Sequence, residues 1–314
     1  MSRDSQHIIA ANRSPYSNPL TTQGFLDILG FKIYYRSFGE PLKGTLVGLA
    51  GGPGCELVFL NPLTDLAKHG YRVVLYDQLG CGKSEMPMNR TLFTVEHYVN
   101  ELEEVRRTLA LGKVHLMGWS WGGQLALAYA LEHQNNLRSI ITTGGLASAP
   151  LAFREIQRLK SELPAETVAV MKKYEDLDDY GNPDYQKVVP EFYNRYFNRS
   201  QFAQQELKVA RHEYAREGGK FGARVYETMW GKNEFTCLGT LAYWDISDRL
   251  GEISVPCLIT GGRYDEVTPT VAEDLRRRLR NSRIFIFENS AHVPFWEERD
   301  KYVDVVRDFL DSMN

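Results

Sequence analysis

The 314-residue chain carries 37 Lys and Arg against 40 Asp and Glu, a formal net charge of −3. That balance leaves no basic footprint for nucleic acid or for an anionic membrane surface, and neither is expected as a partner. With 43% apolar and 25% charged residues the composition is that of a globular chain, long enough for one large domain or a domain with an insertion.

From the N-terminus, MSRDSQHIIAANRS shows no apolar core and no cleavage-site pattern, so a cytoplasmic protein is expected. LDILG and FKIYYRSFG predict two strands closing a hairpin around Gly30. TLVGLA (45–50) has strand length and runs into Gly51-Gly52-Pro53-Gly54. Residues 57–69 read as a helix, RVVLYD (72–77) as a buried strand, and 94–111 as a helix with apolar residues at helical spacing. VHLMGW (114–119) is a strand, QLALAYALEH a helix and RSIITTG (138–144) a strand.

The pattern then changes. Residues 147–244 are mostly helical and polar-aromatic, without the Gly, Ser and Pro richness of a flexible tether, and are expected to form a helical cap. Alternation resumes with PCLITGG (256–262), VAEDLRRRLR, RIFIFEN (283–289) and a last helix after Pro294. Strands alternating with helices predict an α/β fold with a mostly parallel sheet covered on both faces. Residues 1–146 and 245–314 would form that core. Arg276-Arg277-Arg278, preceded by Glu273 and Asp274, reads as a solvated helix face. The four cysteines, Cys55, Cys81, Cys237 and Cys257, are scattered without a CxxC and are expected as free thiols, not a metal site. Sequons at Asn12, Asn89 and Asn198 read as chance.

Gly118-Trp119-Ser120-Trp121-Gly122 fits G-x-S-x-G between a predicted strand and a predicted helix. That context makes Ser120 a candidate nucleophile on a tight turn, facing the amino end of a helix. His292, in the loop after the strand at 283–289, is the candidate base. His69, His97, His115, His133 and His212 fall on helices or at a strand start, His7 lies in the tail, and all six read as surface or core residues. Asp265 follows the strand at 256–262 and fits the chain order Ser, Asp, His, as the carboxylate that orients the imidazole. A turn or helix-capping role is its alternative, and Asp245 and Asp248 are rivals placed before that strand. The Gly51-Gly52-Pro53-Gly54 loop fails the phosphate-binding pattern. It reads as an oxyanion loop, with Gly51 and Gly52 beside the amide of Trp121.

AGGPG, YDQLGCGKSE, MGWSWGGQLALAYAL, GRYDEVTP and SAHVPFWE, in that order, resemble the proline iminopeptidase family of α/β-hydrolases, above all its archaeal members. The resemblance covers nearly the whole chain and extends to ELPAE, YGNPDYQ and NEFTCLGTLAYWDI in the cap. It implies a serine aminopeptidase acting on short peptides or aminoacyl amides, with Ser120, Asp265 and His292 as its triad and no cofactor or metal. It also implies that Glu234 and Glu266 bind the substrate's free amino group. Two departures touch the site: Ala50 stands where the family usually has histidine, and Trp119 where the elbow is often small. They leave an amidase or esterase of a small molecule as the alternative, and a catalytically silent binding protein as a remote third. No motif fixes an oligomeric state.

Overall fold

Short apolar runs alternating with amphipathic helices build an eight-stranded sheet in the computed structural model, which describes Asn18 and residues 20–313. His7 and the Asn12 sequon lie outside the described residues. Strands β1 (Leu20–Ile28) and β2 (Phe31–Phe38) pair antiparallel. Leu29 and Gly30 join them with φ of 51° and 86°. Two successive positive φ angles suit the right-handed twist of a hairpin, and the glycine meets that demand without strain. β1 starts well before the LDILG run because its first residues, exposed and polar, carry no apolar signal.

After β3 (Gly44–Leu49), the run Leu57–His69 is wound as a 3-10 helix with Pro62 inside it. Then follow β4 (Tyr71–Tyr76), α1 (Val95–Thr108), β5 (Val114–Trp119), α2 (Trp121–His133) and β6 (Leu137–Thr143). Five helices come next: α3 (Ala149–Ser161), α4 (Ala165–Asp176), α5 (Pro183–Tyr196), α6 (Gln201–Arg216) and α7 (Ala223–Met229). They end in a small hairpin, β7 (Gly231–Asn233) and β8 (Thr236–Cys237), too short to announce itself in the sequence. The sheet resumes with β9 (Cys257–Gly262), α8 (Pro269–Arg278) and β10 (Ser282–Phe287). The predicted last helix breaks at Glu298 into α9 (Pro294–Glu297) and α10 (Arg299–Asp311).

The strand order is β1-β2-β4-β3-β5-β6-β9-β10, with β2 antiparallel to both neighbours and every pairing from β4 onward parallel. The inner strands β5 and β9 are buried along their whole length, as two covered faces require. Side chains alternate between two cores. On β5, Val114 and Leu116 join α1 and α2 through Leu102 and Leu125, while Met117 and Trp119 join Leu60 of the 3-10 helix and Tyr302 of α10. Arg276 and Arg277 face solvent on α8, and Asp274 pairs with Arg277 and Arg278. The cysteines are free thiols. Among the described residues no helix is long and apolar enough to cross a membrane.

Parallel topology puts the loops after β3, β5, β9 and β10 at one edge of the sheet, where sites form in open α/β sheets. The contact that sets this edge is the close approach of β3 to α2. A Cβ on Gly122 would stand 2.0 Å from the Leu49 carbonyl oxygen. Gly122→Ala is therefore expected to destabilise the fold by about 3 kcal/mol, the upper end of ordinary overpacking. Thermal denaturation of the purified variant checks this.

Candidate active site

Ser120 sits between β5 and α2 with φ 55° and ψ −121°. Those angles are the ones that the first central residue of a type II′ turn adopts, a place normally given to glycine. A serine there is strained by about 1–3 kcal/mol, and such strain collects at functional sites. The neighbouring backbone holds it: Ser120 N donates to Thr143 O at 2.8 Å, and Gly123 N donates to Ser120 O at 2.8 Å. Gly118 is required because a Cβ there would lie 2.1 Å from the Gly122 carbonyl oxygen. The two tryptophans flanking Ser120 point into opposite cores, Trp119 toward Phe59 and Trp121 toward Tyr98.

Asp265, after β9, and His292, after β10, meet directly, with His292 Nδ1 2.6 Å from Asp265 Oδ1. The same carboxylate oxygen accepts from Val267 N at 2.8 Å, which fixes its direction. Burial pushes the Asp265 carboxyl up, against the pull of His292. Burial works to lower the His292 imidazole, yet Asp265 and the nearby Glu234 outweigh it and the ring stands above its ordinary value. Ser120 and His292 line one cavity of about 380 Å³ together with Gly52 and Glu234.

Glu234 occupies the tip of the β7–β8 hairpin, and Glu266 follows Asp265. Both line a narrow recess of about 10 Å³ that Ser120 and Gly52 also line. Tyr226 Oη donates to Glu234 Oε1 at 2.8 Å. Glu266 is buried, and its Oε2 has no hydrogen-bond partner. Its Oε1 lies 3.7 Å from His292 Nε2. No lysine or arginine forms an ion pair with either glutamate among the described residues. Burial pushes both carboxyls up, and Glu266 rises further because Glu234 and Asp265 stand near it.

The oxyanion candidates lie where Ser120 faces them. A Cβ on Gly51 would come within 3.0 Å of the Ser120 Cβ, so only glycine brings that backbone so close. Trp121 opens α2, and its amide is among the first-turn donors that a helix leaves unpaired. Gln78 connects the two sides: its Nε2 donates to Ala50 O at 3.2 Å and its Oε1 accepts from Trp121 Nε1 at 2.8 Å. Sequence reasoning passed over Gln78, although it lies within the YDQLGCG turn.

Three more supports were missed. Gly144, at φ 54°, faces the imidazole so closely that a Cβ would sit 2.7 Å from His292 Nδ1. Trp119 Nε1 donates to the His292 carbonyl at 2.9 Å, so the bulky elbow residue steadies the histidine loop. Glu297 accepts from Ala291 N and Arg199 N, both at 2.6 Å, joining that loop to the segment after α5. Only the Gly144-Gly145 pair at a strand end carried a local signal.

The rivals fall elsewhere. Asp245 is bonded to Ser148 and Ser247, and Asp248 is an exposed partner of Arg278. His115 is buried with Nδ1 2.7 Å from Ser139 Oγ, and burial holds it down at about 4.

Comparison with known proteins agrees with this architecture. Residues 44–299 match the family model described as alpha/beta hydrolase fold. The proline iminopeptidase of Saccharolobus solfataricus is 42% identical over 295 residues, covering 93% of each chain. That of Thermoplasma volcanium is 43% identical over 291 residues, covering 92% of this chain and 96% of its own. Among solved structures, VinJ superposes with a TM-score of 0.88 at 30% identity over 94% of this chain and all of its own. With a serine elbow on an eight-stranded hydrolase sheet and relatives alike over nearly their whole length, this chain belongs to the proline iminopeptidase family of α/β-hydrolases.

Proposed function

We propose that the protein is a serine aminopeptidase that releases the N-terminal residue, proline foremost, from short peptides through an acyl-enzyme. The preference for proline is extended from the names of its relatives. Residues 147–244 act as a cap over a core made of residues 1–146 and 245–314. The observation that carries the reading is the recess shared by Ser120, Glu234 and Glu266, with its orphaned carboxylate oxygen.

In this mechanism the substrate ammonium enters the recess and donates charge-assisted hydrogen bonds to both glutamates. A cation of that size suits a space of about 10 Å³, which is roughly the space of one water. Anchoring the amine there places the carbonyl one carbon away beside Ser120, and only the first peptide bond can react. Ser120 Oγ attacks the carbonyl carbon and His292 Nε2 takes its proton. Asp265 keeps the other ring nitrogen protonated and stabilises the imidazolium. The amides of Gly51 or Gly52 and of Trp121 receive the oxyanion. His292 then protonates the leaving amine, and water repeats the sequence to free the amino acid.

Chromogenic aminoacyl amides and their N-acetylated counterparts test this. Rapid turnover of the free amines and little of the acetylated forms is expected. Equal turnover would replace the reading with a general amidase or esterase.

The pH profile is a second test. His292 must be neutral to act, and its raised pKa puts the acid limb of kcat/KM above about 6.5, the ordinary histidine value. Substrate must be an ammonium, and its α-amine titrates near 7.7–8.0. A narrow bell is expected for aminoacyl amides. A simple ester without an amine should show the acid limb and then a plateau.

A further inference from the structure

We propose that the cavity is polarised along its length for zwitterionic peptides, and that Arg211, with Lys208 beside it, receives the free C-terminal carboxylate of the substrate. This rests on the aminopeptidase reading, which assigns the other end of the cavity to the amine.

Arg211 lies on α6 and lines the cavity that holds Ser120 and His292. It also lines an adjoining cavity of about 260 Å³ between α5 and α6, which shares Tyr193, Phe197 and Leu207 with the first. Its guanidinium is incompletely engaged. It sits 5.0 Å from the Phe59 ring centroid, Nη2 makes a long 3.4 Å contact with Glu56 Oε1, and the buried Nε has no partner. Glu56 is buried and also keeps an oxygen without a partner, so this pair is loose on both sides. Lys208, three residues earlier, shares the helix face, is exposed, and forms no ion pair among the described residues. No acidic side chain lines the adjoining cavity.

Charge is thus separated along the path. Glu234 and Glu266 stand by Ser120, Lys232 in the same wall is taken up by Glu227, and Arg211 and Lys208 stand where the cavity continues between α5 and α6. A short peptide carries the complementary pattern, ammonium first and carboxylate last. The guanidinium, held only loosely by Glu56, keeps Nη donors that can form a charge-assisted hydrogen bond to a carboxylate at the cavity wall. Holding both ends places the scissile bond between two fixed points, which favours short chains over long ones.

The test compares prolyl-alanyl-alanine with its C-terminal amide, using the full-length enzyme. A preference of about ten-fold in kcat/KM for the free acid is expected, the size of one charge-assisted hydrogen bond, and it should reside in KM. Arg211→Ala should bring the ratio close to one. Arg211→Lys should keep part of it, because a point charge remains with differently placed donors, and Lys208→Ala should reduce it less. Longer peptides should show a smaller ratio. Equal turnover of acid and amide by the parent enzyme overturns the proposal, as does a preference that survives Arg211→Ala. If Arg211→Ala fails to fold, an undiminished ratio in both Arg211→Lys and Lys208→Ala overturns it equally. Failure to cleave either peptide or prolyl anilide would instead remove the aminopeptidase reading itself.

Discussion

Ser120→Ala is expected to lower kcat on a prolyl anilide by about a million-fold, the loss seen when a serine hydrolase is stripped of its nucleophile. The variant should still fold, since alanine meets the same backbone demand as serine. Intact-protein mass spectrometry after a fluorophosphonate probe should show one adduct on the parent and none on the variant. The backbone adds a finer expectation. Because Ser120 holds φ 55° and ψ −121°, Ser120→Gly should be more stable than Ser120→Ala by about 1 kcal/mol or more. Denaturant unfolding of the two inactive proteins measures that difference. A gain for glycine would mean that the turn is kept strained to aim a hydroxyl.

Glu266→Gln carries the second large effect. A buried carboxylate facing an ammonium loses about 2–5 kcal/mol of coupling when neutralised, equivalent to a fall of about 30- to several-thousand-fold in kcat/KM on free-amine substrates. Discrimination against the N-acetylated substrate should shrink by a similar factor. Glu234→Gln should act in the same direction but less, because Tyr226 already donates to that carboxylate. Stability should move the opposite way for Glu266. Its pKa is raised well above the ordinary value by burial, Glu234 and Asp265. Over the window from about 4.3, the unfolded value, up to that raised value the folded state holds a proton that the unfolded state has released. The free-enzyme fold therefore loses stability as pH climbs through that window. Glu266→Gln removes this slope and should raise the melting temperature at neutral pH. An enzyme that became less stable at neutral pH on this substitution would contradict a raised pKa at that position.

Much of this site was legible because its chemistry is attached to chain landmarks. Ser120 lies between a strand and a helix, and Asp265 and His292 each follow an apolar strand, so order and spacing alone reach them. Glu234 is different. It sits on a two-residue turn inside a hairpin whose strands span only Gly231–Asn233 and Thr236–Cys237, below the length at which alternation is visible. Its place in the site came only from resemblance. Trp119 read as an oddity of the elbow, because its bond to the His292 carbonyl crosses 173 residues that no local pattern spans. Gln78 and Glu297 escaped for the same reason: each joins two loops distant in sequence, and neither has an unusual neighbourhood of its own.

The C-terminal end of α5 has a mechanical consequence. Tyr196 O accepts from Glu266 N at 3.0 Å, and Phe197 O accepts from His292 N at 3.0 Å. On the proposed reading, a roof stitched in this way to the machinery beneath it would not swing away as a rigid plate without pulling His292 and Glu266 out of register. A wide-open form would then be an idle form, and bulky or folded chains would be refused at the doorway before any question of which residue they begin with.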